Sequence, residues 1–258
     1  MSEYVDHRPG LGNELRLALA FLTRLPIRLP AHVAEAPLAS AVRAFPLAGA
    51  AVALAGALAF AIAWTIGLPP TIAGLIAVAA MVAFTGALHE DGVADFVDSL
   101  GARDPAKRLA IMRDSRIGTF GVLALIFAVA IRAGALAYVA DPLEAFGLLL
   151  AAAAFSRACV AHAMHALPMA RADGLAAAAG RPNQARMLDT LAIGAVFLLA
   201  LGPLGAVAGL LAAGAATLAV ERLARKHVGG QTGDVLGAVQ QAAEIAILCA
   251  ALAASSWW

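Results

Sequence analysis

The chain has 258 residues, 62% of them hydrophobic and only 14% charged, with a formal net charge of +1. Soluble domains carry about 25% charged residues, so this composition excludes an ordinary soluble domain. No basic block points to nucleic acid, and Cys159 and Cys249 both lie in apolar segments, where they read as small core hydrophobes rather than a disulfide or a metal pair.

The elements follow in chain order. The opening "MSEYVDHRPG" is polar and mixed in charge, which argues against a cleavable signal peptide. "NELRLALAFLTRLPIRLP" mixes charges with apolar residues and is expected to be a helix lying at the membrane interface, ended near Pro26. Seven spans are then expected, over 46–67, 70–88, 118–140, 143–166, 188–201, 203–220 and 235–256. Residues 188–220 are too long for one ordinary crossing at about 1.5 Å per residue, yet a split at "GPLG" leaves two short helices. If they cross only once, the last two segments exchange sides. The expected fold is therefore all-α, a single membrane-embedded domain over 1–258 with about seven crossings and an N-terminal interfacial helix.

Basic residues give the orientation. With the N-terminus in the cytoplasm and alternating spans, all 18 lysines and arginines fall in cytoplasmic segments except Arg132 and Arg157, which lie within spans. The outer links "GLPP", "ADPLE" and "GP" carry none, as the positive-inside rule requires. Trp64, Tyr138, Trp257 and Trp258 fall near the outer span ends, where interfacial aromatics belong. Every unusual polar stretch then faces the cytoplasm.

The first such stretch is "HEDGVADFVD", residues 89–98, which follows eighteen uncharged residues. If it continues the second helix, Asp91, Asp95 and Asp98 fall at i, i+4 and i+7 on one stripe, with Glu90 about 100° round from Asp91. Like charges on one stripe repel, so the cluster asks for a cation. Magnesium suits all-oxygen ligands and usually completes its shell with substrate phosphates. A loop that is merely solvated need not align its acids in this way. The second stretch, "RDPAKRLAIMRDSRIGTFG", supplies positive charge. Lys107 and Arg108 are equally well explained as membrane anchors, whereas Arg113 and Arg116, around Asp114 and Ser115, have the fork geometry that binds phosphate oxygens. Gly118 and Gly121 would let backbone amides approach them. The third, "HVGGQTGDVLGAVQQAAE", places Gly229, Gly230 and Gly233 around Thr232 and Asp234. Either of the last two could cap the final helix, or Asp234 could be a second carboxylate arm. Glu244 is expected to pair with Arg132 or Arg157, while His162 and His165, one turn apart, are weak metal candidates because no carboxylate is near them in sequence.

These blocks resemble the cobalamin synthases of bacteria and archaea, the adenosylcobinamide-GDP ribazoletransferases. The resemblance runs almost end to end: "FLTRLP" at 21–26, "FPLAG" at 45–49, "HEDGVADFVDSLG" at 89–101, "LAIMRDSRIGTFG" at 109–121 and "GGQTGDVLGA" at 229–238. The chain departs from that pattern at "DSLG" and at Gln240 and Gln241, where an acid is common. The resemblance implies a membrane-bound, magnesium-dependent transfer of the adenosylcobinamide phosphate moiety of adenosylcobinamide-GDP to a ribose hydroxyl of alpha-ribazole or its phosphate, with release of GMP. The chemistry of such a phosphoryl transfer then assigns roles. Glu90, Asp91, Asp95 and Asp98 would hold one or two Mg2+ ions, and Arg24, Arg113 and Arg116 would bind phosphate. His89, Asp114 and Asp234 are the candidate catalytic groups, of which His89 or Asp234 would accept the ribose proton. Gly230, Thr232 and Gly233 would form a substrate loop. The expected setting is the inner membrane, with the lipid bilayer and these small molecules as partners and the site on the cytoplasmic face. The rival classes are another intramembrane diphosphate enzyme, such as a CDP-alcohol phosphotransferase or an aspartate-rich prenyltransferase, and a transporter using Arg132, Arg157 and Glu244. "DGVAD" lacks the Ala-Arg pair of the first, "TGD" is a poor second aspartate motif for the next, and no duplication of spans supports the last.

Overall fold

The structure is a computed structural model that describes residues 10–255. The described residues form α1 (Leu11–Leu22), α2 (Ala31–Ala34), α3 (Phe45–Thr65, entered through a 3-10 turn, Leu38–Ala44), α4 (Pro70–Thr85), α5 (Leu88–Ser99), α6 (Pro105–Ile111), α7 (Thr119–Val139), α8 (Pro142–Ala166), α9 (Leu175–Ala179), α10 (Gln184–Leu198), α11 (Gly202–His227) and α12 (Gly233–Ser255). Their only β contact is an isolated bridge between Met169 and Gln231. The chain is thus the all-α, multi-pass membrane protein that its composition predicts. The expectations for residues 1–9, Trp257 and Trp258 fall outside the described residues.

Local chemistry sets the helix boundaries. Prolines stand in the first turns of α3, α4, α8 and α11, where a missing N–H costs nothing. Asp141 caps α8 by accepting from the amides of Leu143 and Glu144, both at 2.9 Å. Leu38–Thr65, Thr119–Val139, Pro142–Ala166, Gln184–His227 and Gly233–Ala254 are each long and apolar enough to cross a bilayer. The pair α4 and α5, bent by 93°, would make a sixth.

The run Gln184–His227 is a hairpin rather than one continuous helix. Near its start, the Pro182 carbonyl meets the His165 ring at the end of α8. Near its finish, Arg225 donates to the Ala166 carbonyl and Glu221 meets His162, again at the end of α8. Its middle, at Ala200, instead lies against Gly147 near the start of α8. The chain therefore reverses at Gly202, and α10 and α11 form the antiparallel pair expected from the split at "GPLG".

At the centre of the bundle, α8 buries Ala151 to Ala154 completely, and Gly49 of α3 packs directly on the Ala153 backbone. Small residues let membrane helices approach this closely. Ile62, Phe127, Val196 and Leu211 are exposed on the outside, where lipid would cover them. The N-terminal helix is tied to the bundle by charge. Buried Glu14 accepts from Arg43 at 2.7 Å and from Arg186 at 3.2 Å, joining α1 to the turn before α3 and to α10.

One expectation changes. The acidic stretch does not continue the second helix, because α4 stops at Gly86, and Gly86 and Ala87 are both left-handed, with φ of 68° and 59°. The chain turns there, so α5 runs across the end of the bundle rather than through it. For Ala87 a left-handed backbone is unusual and mildly strained.

Candidate active site

The acids of α5 divide into two sets. Glu90 is buried and turned into the bundle, where Oε1 accepts from Arg132 at 2.7 Å and from Gln241 at 3.1 Å. Arg132 also meets Glu244 at 2.9 Å, Arg157 lies 3.8 Å from Glu244, and Gln240 donates to Glu244. Two arginines and two glutamates thus neutralise one another. Glu244 engages both of the arginines that the sequence offered it, and Gln240 and Gln241 serve as donors to the two carboxylates. Asp98, at the other end of α5, accepts from the amides of Gly118 at 2.7 Å and Gly121 at 2.8 Å. These are orphan N–H groups of the first turn of α7, and Asp98 satisfies them. A methyl group on either glycine would run into the Asp98 carboxylate, so both glycines serve Asp98 rather than a phosphate.

Asp91 and Asp95 form the second set. Among the described residues neither has an ion-pair or side-chain hydrogen-bond partner. Gly92 lies between them, and its Cα would hold any added Cβ 3.1 Å from the backbone of Asp234. Gly237 makes the reciprocal approach, so α5 and α12 cross through two glycines. The crossing sets Asp234 opposite Asp91 and Asp95. The Asp95 carboxyl is pushed up to about 7, first by burial and then by the charges of Asp91, Asp234 and Asp98. Among the described residues no three His, Cys, Asp or Glu side chains converge closely enough to hold a metal ion unaided.

His89 is buried beside this cluster. Burial, then the positive charges of Arg157 and Arg132, hold its pKa well below the usual value, so the ring stays neutral. Asp234 takes the Thr232 hydroxyl at 3.2 Å, and Thr232 accepts from the Val235 amide at 3.2 Å, which makes it the cap of α12. Gly230 packs against the Pro168 carbonyl, and Gln231 exchanges backbone bonds with Pro168 and Ala170 at 2.8 and 3.1 Å. The glycine loop is therefore pinned to the segment after α8, and Gly233 approaches Leu175 of α9.

The predicted arginines are spread out. Arg113 holds Asp173 through one nitrogen at 2.6 and 2.7 Å, and Arg116 holds Asp114 at 2.6 Å, all on exposed or half-exposed chain. The bonds from Arg116 depress the Asp114 carboxyl below its usual range. Arg108 is buried and donates to the His227 carbonyl at 3.0 Å, which closes the end of α11. The guanidinium of Arg24 lies over Gly86 at the turn between α4 and α5 and has no acidic partner among the described residues. His162 pairs with Glu221 at 2.8 Å and His165 with a carbonyl, which leaves no histidine metal pair.

Sequence reading missed Arg171. It lies on the segment pinned to the glycine loop, it is the cation that acts on Asp234, and its Nη1 is buried without a hydrogen-bond partner. In sequence it is one more basic residue in a cytoplasmic loop, and nothing there connects it to a site sixty residues away.

The sequence profile of the cobalamin-5-phosphate synthases matches residues 14–252. The chain belongs to this family. It is 46% identical over 242 residues to an adenosylcobinamide-GDP ribazoletransferase of Bradyrhizobium diazoefficiens, covering 93% of each chain. It is 42% identical over 245 residues to one of Mesorhizobium japonicum, covering 95% of this chain and 94% of that one. With one of Azorhizobium caulinodans it shares 44% over 248 residues, covering 91% and 93%. No solved structure matches it. Three of the blocks quoted from the sequence meet at one end of the bundle. "FLTRLP" ends α1, "HEDGVADFVDSLG" is α5 and "GGQTGDVLGA" opens α12.

Proposed function

We propose that the chain transfers an adenosylcobinamide phosphate group from adenosylcobinamide-GDP to a ribose hydroxyl of alpha-ribazole or its phosphate, with GMP as the leaving group. Its relatives' names describe this transfer. The observation that carries the reading is the pair Asp91 and Asp95, left without a cation and set opposite Asp234 where α5 crosses α12.

Phosphoryl transfer asks mostly for positioning and charge neutralisation. Magnesium commonly takes one or two carboxylates and leaves its other positions to water and substrate phosphates. Asp91 and Asp95 match that donor set, although no third acid converges on them. They would hold the ion, which would supply positive charge to the diphosphate. Glu90 and Asp98 are left out of this set because their carboxylates are engaged elsewhere. Arg24 would bind phosphate oxygens directly, as would Arg171, whose approach to Asp173 is a loose 3.9 Å. Arg113 and Arg116 would first have to release Asp173 and Asp114, and such exposed pairs are weak.

In the reaction, a hydroxyl oxygen of the riboside bonds to the phosphorus that carries the cobinamide. The bond from that phosphorus to the oxygen bridging to GMP breaks, and GMP leaves with the electron pair. The hydroxyl proton passes to a carboxylate. Asp234 suits that role better than His89, whose charged form is opposed by burial and by two arginines. Asp114, tied to Arg116 on an exposed turn, carries no step. The basic residues gather at this end of the helices, which supports a site on the cytoplasmic face of the inner membrane.

The test is GMP release by purified, lipid-reconstituted protein given adenosylcobinamide-GDP and alpha-ribazole phosphate, with Mg2+ or with a chelator. Magnesium-dependent GMP together with a corrinoid product is the expected outcome. No GMP from protein shown to be folded would overturn the reading.

A further inference from the structure

A cavity opens beside the acids, between the end of α1, the starts of α3 and α5, the end of α8, α9 and the start of α12, and the chemistry above leaves it without an occupant. Its walls are apolar: Phe45, Met164, Ala176 and Leu236 form the buried part, and Phe21 and Leu175 stand exposed against it. Its polar lining side chains are His89, Asp91 and Asp234, two acids of the site and the histidine beside them.

We propose that this cavity holds the flat, apolar base of the attacking riboside, an inference that rests on the transferase reading. Four bases or rings take part in that reaction, and the walls discriminate among them. The edges of guanine and of the adenine in the adenosyl group carry several donors and acceptors, and burying them against phenylalanine, leucine and methionine would leave them unpaired at a cost. A corrin ring with its amide arms meets the same objection and is far wider. A benzimidazole has an almost wholly apolar edge and loses nothing by entering. With the base inside, the attached ribose emerges past Asp91 and Asp234, so its hydroxyl meets the carboxylate assigned to take the proton. Phe21 and Leu175 expose apolar surface that a bound ring would cover.

The experiment uses the full-length protein in lipid and compares KM values for the two substrates. Ala176→Phe fills the buried part of the cavity and is expected to raise KM for alpha-ribazole phosphate by about tenfold or more, as loss of apolar pocket contacts does. The KM for adenosylcobinamide-GDP should stay within about twofold. Leu175→Ala, at an exposed position that folding does not depend on, should raise the riboside KM by about threefold. It carries the test if Ala176→Phe does not fold. A rise confined to adenosylcobinamide-GDP would give the cavity to the donor, and no change in either KM would show it to be an idle void. Both results overturn the proposal. Failure of the wild-type protein to release GMP would instead sink the transferase reading on which the proposal rests.

Discussion

Replacing Asp98 by asparagine separates an anchoring carboxylate from a metal-binding one. Both oxygens of Asp98 accept amides of the first turn of α7, at 2.7 and 2.8 Å. A hydrogen bond to a charged group contributes about 1.5–3 kcal/mol, and a carboxylate at a helix N-terminus gains a further 0.3–1 kcal/mol or so from the macrodipole. Asparagine keeps one acceptor and turns an NH2 group toward the other amide. Asp98 is half-buried, so the lower end applies, and we expect a loss of about 2–3 kcal/mol. For a chain of this size that lowers the unfolding midpoint by roughly 4–12 °C. Asp95→Asn should behave in the opposite way. It removes one of several mutually repelling charges, so the metal-free midpoint should hold or rise. The assay is thermal unfolding in detergent, with and without Mg2+. Asp98→Asn should melt early but still gain stability with Mg2+, whereas Asp95→Asn should melt normally and gain nothing. A protein with Asp98→Asn that melts like wild type and ignores Mg2+ would refute the reasoning and return Asp98 to the metal.

The other predictions concern the neighbours of this cluster. Arg132→Ala leaves buried Glu90 without a cation and Glu244 with Arg157 alone, and should cost about 3–5 kcal/mol, seen as loss of monodisperse protein on size exclusion. Glu90→Gln keeps an acceptor for Arg132 and should retain the Mg2+ response that a metal ligand would lose. Asp95 keeps its proton in the native state between its ordinary value of 3.8 and about 7. The stability this proton lends is complete below pH 3.8, is lost steadily as pH rises from there to about 7, and is gone above that. Without Mg2+ the melting midpoint should therefore fall as pH rises from about 4 to 7 and level off above. Saturating Mg2+ should reduce that slope, and Asp95→Asn should abolish it. Arg171→Ala should raise KM for adenosylcobinamide-GDP about tenfold or more, the worth of one charged phosphate contact, with partial recovery in Arg171→Lys.

What the sequence made legible follows from the range of the interactions involved. The apolar runs declare the spans because the bilayer imposes their length, and the proline and glycines at 202–205 mark the reversal between α10 and α11. Glu244 had to find Arg132 or Arg157, since intramembrane charges are neutralised by one another. The turn between α4 and α5 was not legible. "FTGALHEDG" keeps helical spacing across it, and Gly86 alone hints at a break. Nor could the helical stripe of acids reveal how those acids divide. Asp91, Asp95 and Asp98 do share a face of α5, but the partner of Glu90 lies 42 residues away and those of Asp98 lie 20 and 23 away. Spacing within a helix says nothing of such partners. Arg171 was hidden for a related reason, because the positive-inside rule accounts for a basic residue in that loop before any site is considered.

The division of the acids explains how a helix crowded with like charges is held in one orientation. Left to itself, α5 would turn its acids toward water and away from one another. Three attachments prevent this: Glu90 to Arg132 at its start, Gly92 against Gly237 in its middle, and Asp98 to the amides of α7 at its end. Glu90 and Asp91 are neighbours about 100° apart round the helix, so fixing Glu90 inward directs Asp91 to the cleft. The two outer acids satisfy cationic or amide partners, and the strain of the arrangement falls on Asp91 and Asp95. A chain that paired these two internally would be more stable, and it would have no unmet negative charge to offer a divalent ion at the cleft. The buried ion network is therefore a mounting for the site: it shares no side chain with the proposed chemistry, yet α5 could not present that chemistry without it.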